Sequence, residues 1–254
     1  MSSADEVFCE NLRFSYKRTL ALQSISFSLG TGVTGILGPN GAGKSTLISI
    51  LATMARPQSG RALVAGHDVS TKSGREEVRK VLGYLPQRFD LMSSATVHEN
   101  VSYAAWAHGV SAINCDRAAD ESLDKVGLSE ASRKRAGRLS GGQRQRLGFA
   151  CAIAHNPTVL LFDEPTVGID PVQRIDIRLL LQRIGVDATV IVTTHMVEDI
   201  QQIASKVLVL RDGNLVFQGT VSSLAKQARP GDESPMSPLE RGYHELMTTE
   251  GVTV

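Results

Sequence analysis

The spacing of apolar positions changes character along this chain. Residues 7–16 alternate loosely between apolar and polar, as a half-buried strand does. Residues 22–29 repeat the pattern, with Ile25, Phe27 and Leu29 on one side. The two stretches predict an antiparallel pair. Continuous apolar runs follow at 33–37, 158–162 and 189–193. Runs of that kind fit parallel strands covered on both faces. Shorter strands are predicted at 61–66 and 81–86, and a hairpin at 207–217 around Asp212-Gly213. Helical spacing marks 96–108, where Thr96 and Glu99 can form a capping box ahead of Val97, Val101, Ala104 and Ala105. Further helices are predicted over 74–80 and 114–126, from the stretch 139–143 to about 154, and from about Pro171. The pattern lapses after Ala228. Pro230, Gly231, Pro235 and Pro238, set among charges, predict a poorly ordered tail over 228–254 with a short helix at most over 240–247.

Composition narrows the function classes. The chain has 254 residues, 42% of them hydrophobic, and a formal charge of +1, which gives no support to non-specific nucleic-acid binding. No apolar run approaches a membrane span, and the N-terminus lacks the basic and apolar regions of a signal peptide. A cytosolic chain is the expectation. Cys9, Cys115 and Cys151 lack metal-ligand spacing and are expected to be buried free thiols. Asn100-Val101-Ser102 is then a coincidental glycosylation match, and Arg133-Lys134-Arg135 reads as a solvated face.

The chemistry starts at Gly38-Pro39-Asn40-Gly41-Ala42-Gly43-Lys44-Ser45-Thr46, which fits the phosphate-loop pattern G-x-x-x-x-G-K-[ST] between a predicted strand and a predicted helix. Glycines let the backbone curl so that N–H groups point inward, and the helix that follows adds its positive end. Lys44 can place an ammonium near β- and γ-phosphates, Ser45 a hydroxyl near Mg²⁺, and Thr46 a second hydroxyl near the phosphates. The loop implies a nucleoside triphosphate and no more. Asp163 and Glu164 end the buried run 158–162, where carboxylates need cations nearby. The first can hold Mg²⁺ through water, and the second can polarise water. His195 and Gln87 also fall at strand ends, where each is open to a phosphate-site role or to a structural one. Ser140-Gly141-Gly142 at a helix start is a second prospective anion site. A symmetric dimer, in which one chain's second site completes its partner's first, accounts for both. Tyr16 lies near the end of the first strand, and its spacing alone favours ordinary packing.

Leu139-Ser140-Gly141-Gly142-Gln143 resembles the signature motif of ABC transporter ATPase domains. The order also matches: Tyr16, phosphate loop, Gln87, signature, Asp163-Glu164, His195. The resemblance covers about residues 6–225. It implies an α/β fold: a P-loop NTPase core, an antiparallel β subdomain, and an α-helical signature subdomain over about residues 87–154 of an ATPase domain spanning 1–227. It implies ATP and Mg²⁺ as ligands. Tyr16 would stack on adenine, against the packing its spacing favours. Gly38, Asn40, Gly41, Gly43, Lys44, Ser45 and Thr46 would form the phosphate cradle. Ser45 and Gln87 would touch Mg²⁺, with Asp163 behind through water. Glu164 would be the catalytic base, and His195 would steady the γ-phosphate. Ser140, Gly141, Gly142 and Gln143 would face the partner's ATP. Asp170 would link the two sites, although Val167-Gly168-Ile169 departs from the family's usual Ser-Ala-Leu before it.

The implied function is the ATP-binding subunit of a transporter. The expected partners are a second ATPase subunit and polytopic membrane subunits docked near Arg88 to Glu99 and the following helix. The chain would sit on the cytoplasmic face of the cell membrane and bind no nucleic acid. The short single domain resembles exporter ATPases, so export is expected. Import, a soluble ABC ATPase acting on ribosomes or DNA, and a module that does not turn over ATP are the alternatives.

Overall fold

The computed structural model describes residues 6–17, 19–229 and 234–248. The elements run β1 (Val7–Tyr16), β2 (Thr19–Leu29), β3 (Gly32–Leu37), α1 (Lys44–Leu51), β4 (Ser59–Val64), β5 (His67–Asp68), α2 (Lys72–Val81), β6 (Leu82–Leu85), α3 (Val97–Ala107), α4 (Ala112–Lys125), α5 (Gly141–Ile153), β7 (Val159–Asp163), α6 (Pro171–Ile184), β8 (Thr189–Thr194), α7 (Val197–Ile203), β9 (Lys206–Arg211), β10 (Asn214–Thr220), α8 (Val221–Ala225) and α9 (Pro238–Thr248). They form two sheets, ordered β2-β1-β4-β5 and β10-β9-β3-β8-β7-β6. The first is antiparallel. In the second, β6, β7, β8, β3 and β9 are parallel, and β10 closes the edge as the antiparallel arm of the expected hairpin.

Strand alternation explains how the layers stack. Leu160, Phe162, Val190 and Val192 face the helical side, with Val101, Leu123, Leu147 and Phe149. Val159, Leu161 and Ile191 face the other way, toward α1 and the antiparallel sheet, with Leu12, Leu22, Ile25 and Leu47. Phe149 and Phe162 meet with ring centroids 4.6 Å apart. Each buried aromatic of this size contributes about 1.5–3 kcal/mol. Gly35 in β3 lets α7 close on the sheet: a Cβ there would stand 2.2 Å from Ile200 Cδ1. Among the described residues no helix is long and apolar enough to cross a membrane.

Several local expectations find a physical outcome. Thr96 and Glu99 form the capping box that starts α3. Asn100 is buried, and its amide bonds Met92 and Thr96, so it braces the loop before α3 rather than presenting a glycosylation site. Cys9 and Cys115 are buried free thiols, whereas Cys151 is only half-buried. Trp106 is 58% exposed beside Tyr103.

The tail also differs from expectation. Within 234–248, α9 is ordered and docks on α7 and α8, burying Leu239 and Leu246 with Leu224 and Val197. Leu239, Tyr243 and Leu246 recur at helical spacing, so one face of α9 is apolar despite its charges. The rest of the predicted tail beyond 229 lies outside the described residues.

Two histidines pair where α3 and α5 end against α2 and β6. His108 and His155 stack with centroids 4.0 Å apart, and they bond the carbonyls of Arg79 and Leu82. Burial, with the His108 ring beside it, pushes the His155 imidazole down to about 4. The unfolded chain therefore takes up this proton first as pH falls. Stability is full above about pH 6.5 and declines toward pH 4, by about 2–3 kcal/mol from this group. Denaturant unfolding at stepped pH should show that decline, and His155→Asn should flatten it.

Candidate nucleotide site

β3 runs straight into the loop 38–43, and α1 starts at Lys44. Gly41 and Gly43 take φ of 86° and 102°, the left-handed region that glycine enters without steric cost. Gly43 is also pressed against the antiparallel sheet, where a Cβ would meet the Ala21 carbonyl oxygen at 2.6 Å. Gly43 caps α1 with no side-chain bond, so the first N–H groups of the helix stay open to an anion. Ser45 is exposed and Thr46 buried in the first turn. Asn40 is exposed on the loop, and Gly38 is buried against the Leu210 carbonyl.

Lys44 is 5% exposed, and its Nζ donates to the carbonyls of Gly38 at 2.6 Å and Pro39 at 3.1 Å. Burial lowers its pKa, while the nearby charges of Glu164 and Asp163 oppose that shift. The ammonium is thus desolvated, held by the loop, and close to both carboxylates.

Asp163 ends β7, buried, and accepts from the Thr193 hydroxyl on the neighbouring strand. Glu164 follows with φ of 50°, a strained value for a residue with a Cβ. Its N–H bonds the Thr193 carbonyl at 3.1 Å, which pins this turn to β8. The strain turns the carboxylate to where two other elements reach it. Gln87, just past β6, donates Nε2 to Glu164 Oε2 at 3.1 Å. His195, just past β8, places Nδ1 at 3.2 Å from Glu164 Oε1. The structure therefore brings Gln87, Glu164 and His195 together at the ends of adjacent parallel strands. A carboxylate so placed can accept a proton from water, with an amide and an imidazole beside it to hold a phosphate or the water. Tyr16 is 54% exposed at the end of β1, its ring T-shaped to Phe14 with centroids 4.9 Å apart.

The signature residues stand apart. Ser140 Oγ accepts from the Gln143 N–H at 3.3 Å, and Gln143 Oε1 accepts from the Ser140 N–H at 3.2 Å. In this capping box the two oxygens accept, and among the described residues the Ser140 O–H and the Gln143 NH₂ donate no hydrogen bond. Gly141 is exposed and Gly142 buried. Among the described residues no hydrogen bond joins 140–143 to the phosphate loop. Asp170 caps α6, accepting from Val172 and Gln173.

Sequence reading missed the support of this site. Asp199 in α7 is 1% exposed. It accepts from Thr166 Oγ1 at 2.5 Å and Arg178 Nε at 3.0 Å. Thr166 follows Glu164 by two residues, so the buried pair ties the turn after Glu164 to α6 and α7. The one available signal was an acidic residue in a short amphipathic stretch after His195.

Comparison with known proteins gives the class. Residues 22–167 match the family described as ABC transporter. The uncharacterized ABC transporter ATP-binding protein YxlF of Bacillus subtilis is 33% identical, over 86% of this chain and 72% of its own length. The methionine import ATP-binding protein MetN of Cupriavidus metallidurans is 37% identical, over 87% and 69%. The linearmycin resistance ATP-binding protein LnrL of Bacillus subtilis is 32% identical, over 86% and 70%. Among solved structures, cbiO1 of Clostridium perfringens, part of the transporter complex cbiONQ, superposes with a TM-score of 0.77 at 29% identity, covering 86% of this chain and 89% of that one. A dimeric post-hydrolysis state of the cassette MJ0796, bound to ADP and Pi, does so with 0.76 at 26%, covering 84% and 98%. The chain belongs to the ABC transporter family. It is an ATP-binding cassette, an ATPase with the P-loop fold.

Two outcomes check this geometry. Lys44→Ala removes the one ammonium inside the loop and should lower ATP turnover by about 100-fold or more in a phosphate-release assay. Turnover near wild type would remove the phosphate-loop assignment. Asp199→Ala leaves the Arg178 guanidinium half-buried without its partner and should cost about 3–5 kcal/mol in urea unfolding.

Proposed function

We propose that two copies of this cassette close head to tail over ATP and Mg²⁺, and that the motion is passed to separate polytopic membrane subunits at the cytoplasmic face of the cell membrane. The observation that carries the reading is the split of the anion-binding groups. Lys44, Gln87, Asp163, Glu164 and His195 converge on one loop, while among the described residues Ser140 and Gln143 form no hydrogen bond to it. A second chain in opposite orientation joins the halves. The dimeric state of MJ0796 with ADP and Pi supports this arrangement, and the place of cbiO1 in a transporter complex supports separate membrane subunits.

In this reading the phosphates lie on the N–H groups of 41–46, and Lys44 leaves the loop carbonyls for the β- and γ-oxygens. Tyr16 offers its exposed ring to adenine. Ser45, Gln87 and Asp163 form an all-oxygen donor set of hydroxyl, amide and carboxylate, which suits a small hard cation. Mg²⁺ bound there offsets the phosphate charge. Glu164 takes the proton of the attacking water, and His195 holds the γ-phosphate. Asp170 carries the signal between the two sites. The membrane subunits dock near Arg88 to Glu99 and α3, where Tyr103 and Trp106 are exposed. Export, expected from the sequence, is not favoured by these relatives, since several are named for methionine import.

Glu164→Gln keeps the shape and removes both the base and a negative charge near the γ-phosphate. With Mg-ATP it should bind nucleotide, stop turnover and accumulate dimers in light scattering. Monomers under those conditions would count against the shared site.

A further inference from the structure

One face of α5 touches the stretch that follows Glu164 at three points. Gln145 Nε2 donates to the carbonyl of Pro165, the residue next to Glu164, at 2.8 Å. Arg146 Nη2 lies 3.9 Å from Asp176 Oδ2. Gln173, in the first turn of α6, lies against Gly142: a Cβ built on that glycine would stand 1.7 Å from Gln173 Oε1 and 2.1 Å from its Cδ. Positions 142, 145 and 146 are spaced i, i+3, i+4, so they share one side of the helix. Gly142 is not among the glycines with left-handed φ. Its backbone does not call for glycine, and the end of the flexible Gln173 side chain fills the space that a Cβ would take. Pro165 is buried, and its carbonyl needs the donor that Gln145 supplies. The same α6 starts at the Asp170 cap.

We propose that Gln145 and Gln173 are positioning residues that brace the signature helix end against the chain's own Glu164 and Asp170. The inference rests on the head-to-tail dimer, in which Ser140 to Gln143 engage the partner's nucleotide. Engagement there shifts the start of α5, and the brace delivers the shift one residue from Glu164 and three from Asp170. A chain whose signature is occupied thereby sets its own base.

The test uses the full chain. Gln145→Met keeps the length and loses the donor, and Gln173→Ala empties the space over Gly142. In each variant kcat should fall about tenfold while KM for ATP stays within about twofold, because the phosphate loop is untouched. Wild-type kcat in both overturns the brace, and so does a raised KM with unchanged kcat. The same substitutions are also made with Glu164→Gln and weighed by light scattering in Mg-ATP. Retained dimers place the loss of rate in the brace. Dimers formed by Glu164→Gln alone but lost in the combined variants assign the glutamines to association and overturn it. Monomers in Glu164→Gln alone remove the shared-site reading, and the brace falls with it.

Discussion

A buried ammonium beside one buried and one half-buried carboxylate governs this structure. Lys44 is nearly sealed from water, and burial alone would favour its neutral form. Two carbonyls of its own loop and the charges of Asp163 and Glu164 keep it in place. Those carboxylates reach it because β7 neighbours β8 and β8 neighbours β3 in a parallel sheet, so the ends of all three strands come out on one side. The layered core exists to hold that register. A shift of one residue in β7 would turn Asp163 to the opposite face.

The second level of order is the strained turn at Glu164. Its positive φ is held by bonds to Thr193 at the turn itself, and the buried Asp199 network anchors Thr166 just beyond it. Rigid support on both sides lets the carboxylate meet Gln87 and His195 from two other elements. The helix that starts at Gly141 meets the same stretch through the Gln145 bond to Pro165 and the packing of Gln173 over Gly142.

Much of this was legible in the sequence, for a physical reason. Strand ends are where a parallel sheet presents chemistry, and the apolar runs before Gly38, Asp163 and His195 locate those ends directly. Helix caps are local too, so Thr96 and Ser140 were readable. What was not legible depends on contacts between distant segments. Nothing near Asp199 in sequence announces Thr166 or Arg178. The fit of Gln173 over Gly142 joins positions on two helices, and glycine there reads as part of a motif. The prolines and charges of the tail masked the Leu239–Tyr243–Leu246 face, whose burial depends on α7 and α8 being present.

In the proposed dimer, one active site is made from the phosphate loop of one chain and the signature of another. Mixing two inactive variants tests it most directly. Lys44→Ala spoils the loop, and Ser140→Arg blocks the signature, so each alone disables both sites of its own dimer. In a mixed head-to-tail dimer the two defects fall in one site and leave the other intact. ATP turnover measured on the equimolar mixture should recover well above either variant alone. A mixture as silent as its components would rule out a site shared between two chains.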